Sequence, residues 1–454
     1  MTLQIFDTLA RGKRPFDPRE PGKIGLYVCG MTVYDRCHLG HGRVMVAFDV
    51  IVRYLRAIGY AVQYVRNITD VDDKIFARAA ERGIPFTELT AEMIDAMHAD
   101  ERSLNCCPPD VEPRATQHIE HMLALITQLA AKGAAYQGAS GDVYFRVSAF
   151  PDYGKLNNRK LEDMVAGARV QVADDKEHPA DFVLWKRAKA HEAFWESPWG
   201  PGRPGWHIEC SAMSMEVLGK HFDIHGGGPD LKFPHHENEI AQSEAATGCR
   251  FANYWMHAGP VRVNDEKMSK SLGNFVTLDA LFSRHDPAVI RLFLLQSHYR
   301  SAISFTEEAL IQADTAYLRL LNARPETKTL DDTDSEAIAR FHEAMLDDFN
   351  TPRALAVLFE LAKRSDQQAK VTLEVLGEIL GLFPQGKAEA LAQRDALKAA
   401  VTGLSDARVD ALIAERTMAR AARDFARADA IRDELTAAGI LIEDSASGTS
   451  WSRG

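Results

Sequence analysis

The stretch from Lys23 to Asn67 constrains the fold more tightly than any other. "KIGLYVC" is a short apolar run and "GMTVYDRCHLGHG" is rich in glycine and polar residues. "RVMVAFDVIVRYLRAIG" then repeats its apolar residues at helical spacing, and "YAVQYVRN" is a second apolar run. Val44, Phe48, Ile51, Leu55 and Ile58 share one face of the predicted helix. A strand, a glycine-bearing turn and a helix opening onto that turn predict a βαβ unit in a parallel sheet. Such sheets bind ligands beyond the carboxyl ends of their strands, which is where residues 29–42 fall.

From about Leu104 to Gly205 the pattern changes. "GDVYFRVS" and "DFVLWKRA" read as strands, "ESPWGPGRPG" as a loop, and "FDIHGGGPDLKF" resumes a strand-then-loop pattern. The stretch between reads as an insertion into the α/β domain. "TKTLDDTDSE" and "FPQGKAEA" read as linkers. "EAIARFHEAMLDDFNTPRALAVLFELAKR" reads as two helices, with Thr351 as an N-cap and Pro352 in the first turn. The tail reads as two helices and a small hairpin. The expected class is α/β, with a parallel-sheet domain carrying an inserted subdomain, then a helical bundle, then a small mixed α/β domain. The expected division is 1–105 and 206–315 for the sheet domain, 106–205 for the insertion, 316–402 for the bundle and 403–454 for the last domain.

A formal net charge of −11 over 454 residues argues against a globally basic nucleic-acid binder, so any such site must be local. Six cysteines in this length form no disulfide framework. "MTLQIFDTLARGKRPFDP" has no apolar segment of signal-peptide length, and no apolar run is long enough for a bilayer span. The expectation is a cytoplasmic, reducing location without membrane association.

"KFPHHENEIAQ" packs two histidines and two glutamates together after Pro234, read as a helix start. On a helix His235 and Glu239 are four apart and His236 and Glu239 three apart, roughly 5–6 Å in either case. Spacing alone does not choose between the histidines, and a solvated ion-paired face is the plain alternative. Cys29 ends the first strand, and Cys210 follows a loop in "PGWHIECSAM". Two cysteines, a histidine and a glutamate form a zinc-type donor set drawn from distant segments. Cys37, Cys106, Cys107 and Cys249 lack such company and are expected to be buried packing residues.

"HLGH" (His38–His41) lies between strand and helix, so His38 and His41 can address one bound group. Gly40 lets a ligand approach the backbone, and the helix N-terminus favours an anion. "KMSKS" supplies Lys267 and Lys270, two flexible cations suited to polyphosphate. "HGGGPD" offers close backbone approach at Gly228 and a carboxylate, Asp230, for ribose hydroxyls. In the tail Arg416, Arg420, Arg423 and Arg427 recur at helical spacing, a candidate phosphate-binding stripe or a solvated ion-paired face. Trp451 suits base stacking or closure of the hairpin.

Together, in this order, the two signatures identify the chain as resembling a class I aminoacyl-tRNA synthetase of the cysteine-specific branch. The resemblance spans essentially the whole chain through "YVCGMTVYDRCHLGHGR", "RPGWHIECSAM", "DIHGGGPDLKFPHHENEIAQSEA", "HAGPVRVNDEKMSKSLGNF" and "LDDFNTPRALAVLFEL". It implies a Rossmann-type catalytic domain and a C-terminal anticodon-binding domain. It implies activation of L-cysteine with ATP and Mg2+ to an adenylate, then transfer to tRNA(Cys), by a monomer. It implies one zinc ion held by Cys29, Cys210, His235 and Glu239, with His236 and Glu237 as support. His38, His41, Lys267 and Lys270 would serve catalysis on ATP; Gly40, Gly228 and Asp230 would bind the nucleotide. Gly30, Thr69 and Trp206 would line the amino-acid pocket. Zinc bonding to the substrate thiolate would separate cysteine from serine, with the substrate as a fifth ligand and Glu239 the most movable of the four. Two other readings share parts of the pattern: a ligase joining cysteine to an amino sugar, which needs no RNA-binding tail, and a silent RNA-binding paralogue, which needs neither ATP signature.

Overall fold

Strand β1 (Lys23–Val28) runs through residues 29–38 into helix α1 (Leu39–Ala57), which returns the chain to β2 (Ala61–Arg66). The computed structural model describes residues 2–158, 175–189, 192–263, 266–267, 275–326, 333–445 and 448–453. β1 and β2 pair parallel from Lys23↔Ala61 to Val28↔Arg66, the predicted βαβ unit. Helix α1 is apolar on more than one face because it is covered on more than one side. Val46, Phe48, Ile51, Val52, Tyr54 and Leu55 are all buried.

The sheet is completed far along the chain. Helix α2 (Trp206–Leu218) leads to β3 (Phe222–Gly227), and helix α3 (Glu237–Thr247) to β4 (Ala252–His257). All pairings are parallel, in the order β4-β3-β1-β2. β1 therefore has its sequence neighbour on one side and a distant strand on the other. A parallel sheet opens a crevice at such a switch point, above the carboxyl ends. Cys29 N–H donates to Gly226 O at 3.0 Å there, which joins the ends of β1 and β3.

Between β2 and α2 the described residues include the helices Asp73–Arg82, Phe86–Ser103 and Ile119–Ala131 and a four-stranded antiparallel sheet. Its strands are Ala135–Gln137, Val143–Phe145, Phe182–Arg187 and Gly202–Pro204. The last was expected to be loop. It is an edge strand, pairing Trp185↔Pro204 and Arg187↔Gly202, and only an edge tolerates a proline without an N–H. The N-terminal hairpin Gln4–Asp7 with Gly12–Pro15 was likewise not anticipated.

Beyond the sheet come Glu307–Ala323, Ser335–Leu346, Thr351–Leu361, Gln367–Ile379 and Lys387–Thr402, all helical. Asn350, not Thr351, caps the third of these by accepting from Arg353 N–H. Thr351 instead donates its hydroxyl to Leu295 O at 2.8 Å, tying this helix to the preceding domain. The tail folds as helices Asp406–Ala421 and Phe425–Ala437 with the hairpin Ile440–Ser445/Gly448–Arg453. Its small core is Val409, Leu412, Ile431, Leu435 and Ile440. Among the described residues no helix is long and apolar enough to cross a membrane.

Candidate metal centre and nucleotide cleft

The four zinc-type residues of the sequence meet in space. Cys29 directly follows β1, α2 carries Cys210 on its first turns, the turn before α3 carries His235, and the first turn of α3 carries Glu239. Cys29 Sγ lies 3.4 Å from Glu239 Oε1 and 3.6 Å from His235 Nε2. His235 Nε2 lies 3.1 Å from Glu239 Oε1. One donor atom from each of the four falls within 4.8 Å of the others, and all four residues are buried. The turn feeding them is less regular than expected. Phe233 is extended (φ −147°, ψ 132°), and the regular helix starts at Glu237, so Pro234 precedes it instead of opening it.

A second set, Cys29, His225, His236 and Glu239, meets the same distance limit. His225 was not singled out in the sequence. It lies in the second half of β3, where "HGGGPD" begins, so its only signal was a histidine near the carboxyl end of a strand. It donates its Nε2–H to Glu239 Oε2 (2.9 Å) and stacks on Trp255. His236 Nδ1 meets His257 Nε2 at 2.9 Å, and His257 Nδ1 meets Thr8 Oγ1 at 2.8 Å. His207 Nδ1 meets His235 Nδ1 at 3.0 Å. His207, His225 and His257 are thus surrounding groups the sequence pattern did not reveal. Glu237 faces away, accepting backbone N–H bonds from Gly154 (2.9 Å) and Asn157 (2.8 Å).

The pocket is arranged to hold positive charge. Burial alone would raise the Cys210 thiol, but hydrogen bonding from Cys29 and the nearby His235 bring it down to about 6. Burial also works against ionised Glu239, yet His225 and His235 hold its carboxyl down to about 2. His235, disfavoured as a cation by burial, is lifted to about 10 by Glu239 and Cys210. Two anionic donors therefore converge on one cationic group, and the remaining thiol, Cys29, is raised by burial. A divalent soft cation matches that donor set.

Trp206, 37% exposed, stands at the mouth with its ring 4.3 Å from that of His235. Gly30 sits where a Cβ would overlap the carbonyl oxygen of Asn67, which accounts for glycine there through backbone approach. Thr69 is buried, and its carbonyl accepts from Val33 N–H at 3.1 Å.

The two histidines of "HLGH" cap α1. His38 N–H donates to His41 Nδ1 at 3.3 Å, His41 N–H donates to His38 Nδ1 at 3.2 Å, and the rings stack 3.6 Å apart. With both Nδ1 atoms accepting, each neutral ring carries its proton on Nε2. A paired set of N–H donors at a helix N-terminus suits an anionic ligand. Gly40 lies in the same first turn. Gly228 is buried and the exposed Asp230 folds its carboxylate back over it. Lys267 pairs in backbone register with Arg262; Lys270 and the rest of "KMSKS" lie outside the described residues. The segment just after that motif returns to the first signature, with Phe275 edge-on to His38 at 5.0 Å and Leu39 N–H donating to Val276 O at 3.0 Å.

The arginine stripe of the tail is not one continuous face. Asp406–Ala421 ends before Arg423, which takes a left-handed conformation (φ 61°), and a second helix starts at Phe425. Arg416 and Arg420 both bind Asp444, and Arg427 binds Glu415. Trp451 donates to Asp410 Oδ1 at 2.8 Å and packs on the tail's core. Cys249, expected to be buried, is exposed, and Cys106 and Cys107 are half-buried.

Comparison with known proteins places this geometry. Residues 15–315 match the family described as "tRNA synthetases class I (C) catalytic domain". Residues 340–384 match a "DALR domain" and 403–451 a "Cysteinyl-tRNA ligase anticodon binding domain". The chain is 54% identical to a cysteine–tRNA ligase of Methylococcus capsulatus, covering 99% of this chain and 100% of that one. It is 54% identical to a cysteine–tRNA ligase of Legionella pneumophila, covering 99% of each. Among solved structures, Mycobacterium tuberculosis methionyl-tRNA synthetase with methionyl-adenylate superposes with a TM-score of 0.58 at 17% identity. That match covers 85% of this chain and 94% of the other, and shows the shared fold. The catalytic-domain match and the end-to-end identity together show that this chain belongs to the cysteine–tRNA ligase family of class I aminoacyl-tRNA synthetases.

Proposed function

We propose that the chain activates L-cysteine with ATP to cysteinyl-adenylate and transfers the cysteinyl group to tRNA(Cys), as a cytoplasmic monomer. The observation that carries this reading is the convergence of Cys29, Cys210, His235 and Glu239 at the carboxyl end of β1, beside the histidine cap of α1. Those four residues would hold zinc. The set with two sulfurs is preferred over the one with His225 and His236, because it offers two thiol donors where the other offers one, and thiolate sulfur is the donor a soft divalent cation favours. A bound zinc ion supplies a Lewis acid that favours thiolate over hydroxyl at the substrate side chain.

That preference is what cysteine needs. Shape distinguishes groups of nearly equal size by only about 1–3 kcal/mol. Sulfur bonding makes discrimination of roughly 10⁴, about 5.5 kcal/mol, attainable without editing. Trp206 closes the outer side of the pocket over His235. Glu239 is less free than a movable ligand would be, since it is buried and its Oε2 is tied to His225.

Adenylate formation needs the substrate carboxylate in line with the α-phosphorus, and positioning and charge stabilisation supply most of the catalysis. His38 and His41 point Nε2–H donors at the triphosphate, with Mg2+ accompanying the nucleotide. Gly40 and Gly228 admit the nucleotide to the backbone, Asp230 accepts from its ribose, and Lys267 and Lys270 neutralise the departing pyrophosphate. The C-terminal domain holds the tRNA.

The test is ATP–pyrophosphate exchange with cysteine and serine, with and without chelator. Cysteine should support exchange and serine should be weaker by roughly 10⁴. Chelation should abolish the preference together with the activity, and zinc should restore both. Unchanged preference for cysteine in metal-stripped protein would sink the proposal.

A further inference from the structure

The insertion lays one short stretch of chain, residues 153–157, on the helix that carries part of the metal site. Glu237 and Asn238 lie between His235 and Glu239 in sequence, and both are buried. The Glu237 carboxylate accepts three backbone N–H groups of that stretch. Gly154 (2.9 Å) and Leu156 (3.4 Å) donate to Oε1, and Asn157 (2.8 Å) donates to Oε2. The Tyr153 hydroxyl donates to Asn238 Oδ1 at 2.5 Å, and Lys155 pairs with Glu244 two turns along α3. Leu156 is fully buried and belongs to the same apolar cluster as Cys29 and Cys210. The stretch thus meets the site's surroundings twice, through polar contacts between two of its donors and apolar packing near the other two.

Neither partner holds its shape by secondary structure alone. Residues 153–157 form neither helix nor strand. Gly154 has φ +98°, the left-handed region that glycine enters without strain, and with that bend three N–H groups converge on one carboxylate. His235 sits in the irregular turn ahead of α3, where Phe233 is extended, so the regular helix does not reach it. If the stretch lifted away, a buried carboxylate would lose its three donors and Leu156 would leave the cluster around the thiols, both costly.

We propose that residues 153–157 are a positioning strap for the metal site: docked on Glu237 and Asn238, they fix the turn that presents His235 and Glu239, so that strap docking and metal binding strengthen each other. This rests on the reading of Cys29, Cys210, His235 and Glu239 as a zinc site. The effect is reciprocal by linkage. The factor by which bound metal favours the docked strap is the factor by which the docked strap raises metal affinity.

The experiment uses the full chain, zinc-loaded and metal-stripped, at a temperature where both forms are folded. Hydrogen exchange is read by mass spectrometry on peptides spanning 153–157, and zinc should slow it there by roughly 5–100-fold. Zinc affinity is then measured by competition with a chromophoric chelator for wild type, Tyr153→Phe, Leu156→Ala and Leu129→Ala. The two strap variants alter no donor atom of the site, and each should weaken zinc binding by roughly 3–30-fold. Leu129 is fully buried in the insertion's other core, and its truncation should leave zinc affinity within roughly twofold of wild type. The proposal is overturned if zinc leaves exchange at 153–157 unchanged, a result that needs no variant to fold. It is also overturned if both strap variants bind zinc as tightly as wild type, or if Leu129→Ala weakens binding as much as they do. A wild-type protein that takes up no zinc overturns the metal-site reading beneath it instead.

Discussion

Asp100 is a carboxyl group folded into a poor place for a charge. It is 6% exposed, its Oδ2 has no hydrogen-bond partner among the described residues, and burial lifts its pKa from 3.8 to about 6 despite the helping Cys37 thiol. The folded chain thus holds this proton more tightly than the unfolded chain does. The stabilisation is full below about pH 4 and is lost as pH rises through about 6. Asp100→Asn, fixed in the neutral form, should flatten the fall in melting temperature between about pH 4 and 7. A wild-type slope retained in the variant would show that another group sets it. At this scale the sequence was legible wherever chemistry is intrinsic to residue type. Cys29 at a predicted strand end, Cys210 after a predicted loop, and His235 and Glu239 on a predicted helix are uncommon donors that stand out by residue type. It was illegible where a role comes from a neighbour. His207 and His257 owe their positions to contacts with residues from 21 to 249 positions away, which no local pattern carries.

Among elements, the tail shows how a helical period can mislead. Four arginines at helical spacing suggested one basic face, but the helix stops, and Arg423 takes a left-handed turn. Arg416 is 8% exposed and bound at both terminal nitrogens by Asp444 (2.9 Å each). Arg423 makes no ion pair among the described residues. The two should therefore behave differently. Arg423→Ala should weaken tRNA binding and reduce the slope of log K against log salt by about 0.7–0.9, one phosphate contact. Arg416→Ala should instead loosen the tail, read as a lower melting temperature, with Asp444 left without its main partner. Binding titrations at several salt concentrations separate the outcomes. The βαβ unit was legible because strand, turn and helix follow one another directly. The edge strand at Gly202–Pro204 was not, because its partner, Phe182–Arg187, decides it.

At the scale of the whole molecule, buried arginines join the pieces. Arg43 on α1 donates to the carbonyls of Leu294, Ser297 and His298. Arg291 pairs with Asp49 of α1 and donates to Leu104 O (2.8 Å) and Leu380 O (2.9 Å). One fully buried guanidinium thus fixes the sheet domain against the helices that follow. Arg291→Met should cost about 3 kcal/mol in unfolding free energy, the low end for a broken buried pair, because Asp49 keeps Arg53 at 2.9 Å. Adding Asp49→Asn should recover part of that loss in a double-mutant cycle measured by urea unfolding. Strict additivity would place the cost in packing instead.

The helix turn around Glu237 looks two ways. His235 and Glu239 belong to the donor cluster, while the carboxylate between them accepts from the backbone of residues 154–157 within the inserted segment. A single turn is too stiff to yield on one side alone. Holding His235 and Glu239 in place therefore also steadies the carboxylate on which the backbone of residues 154–157 hangs.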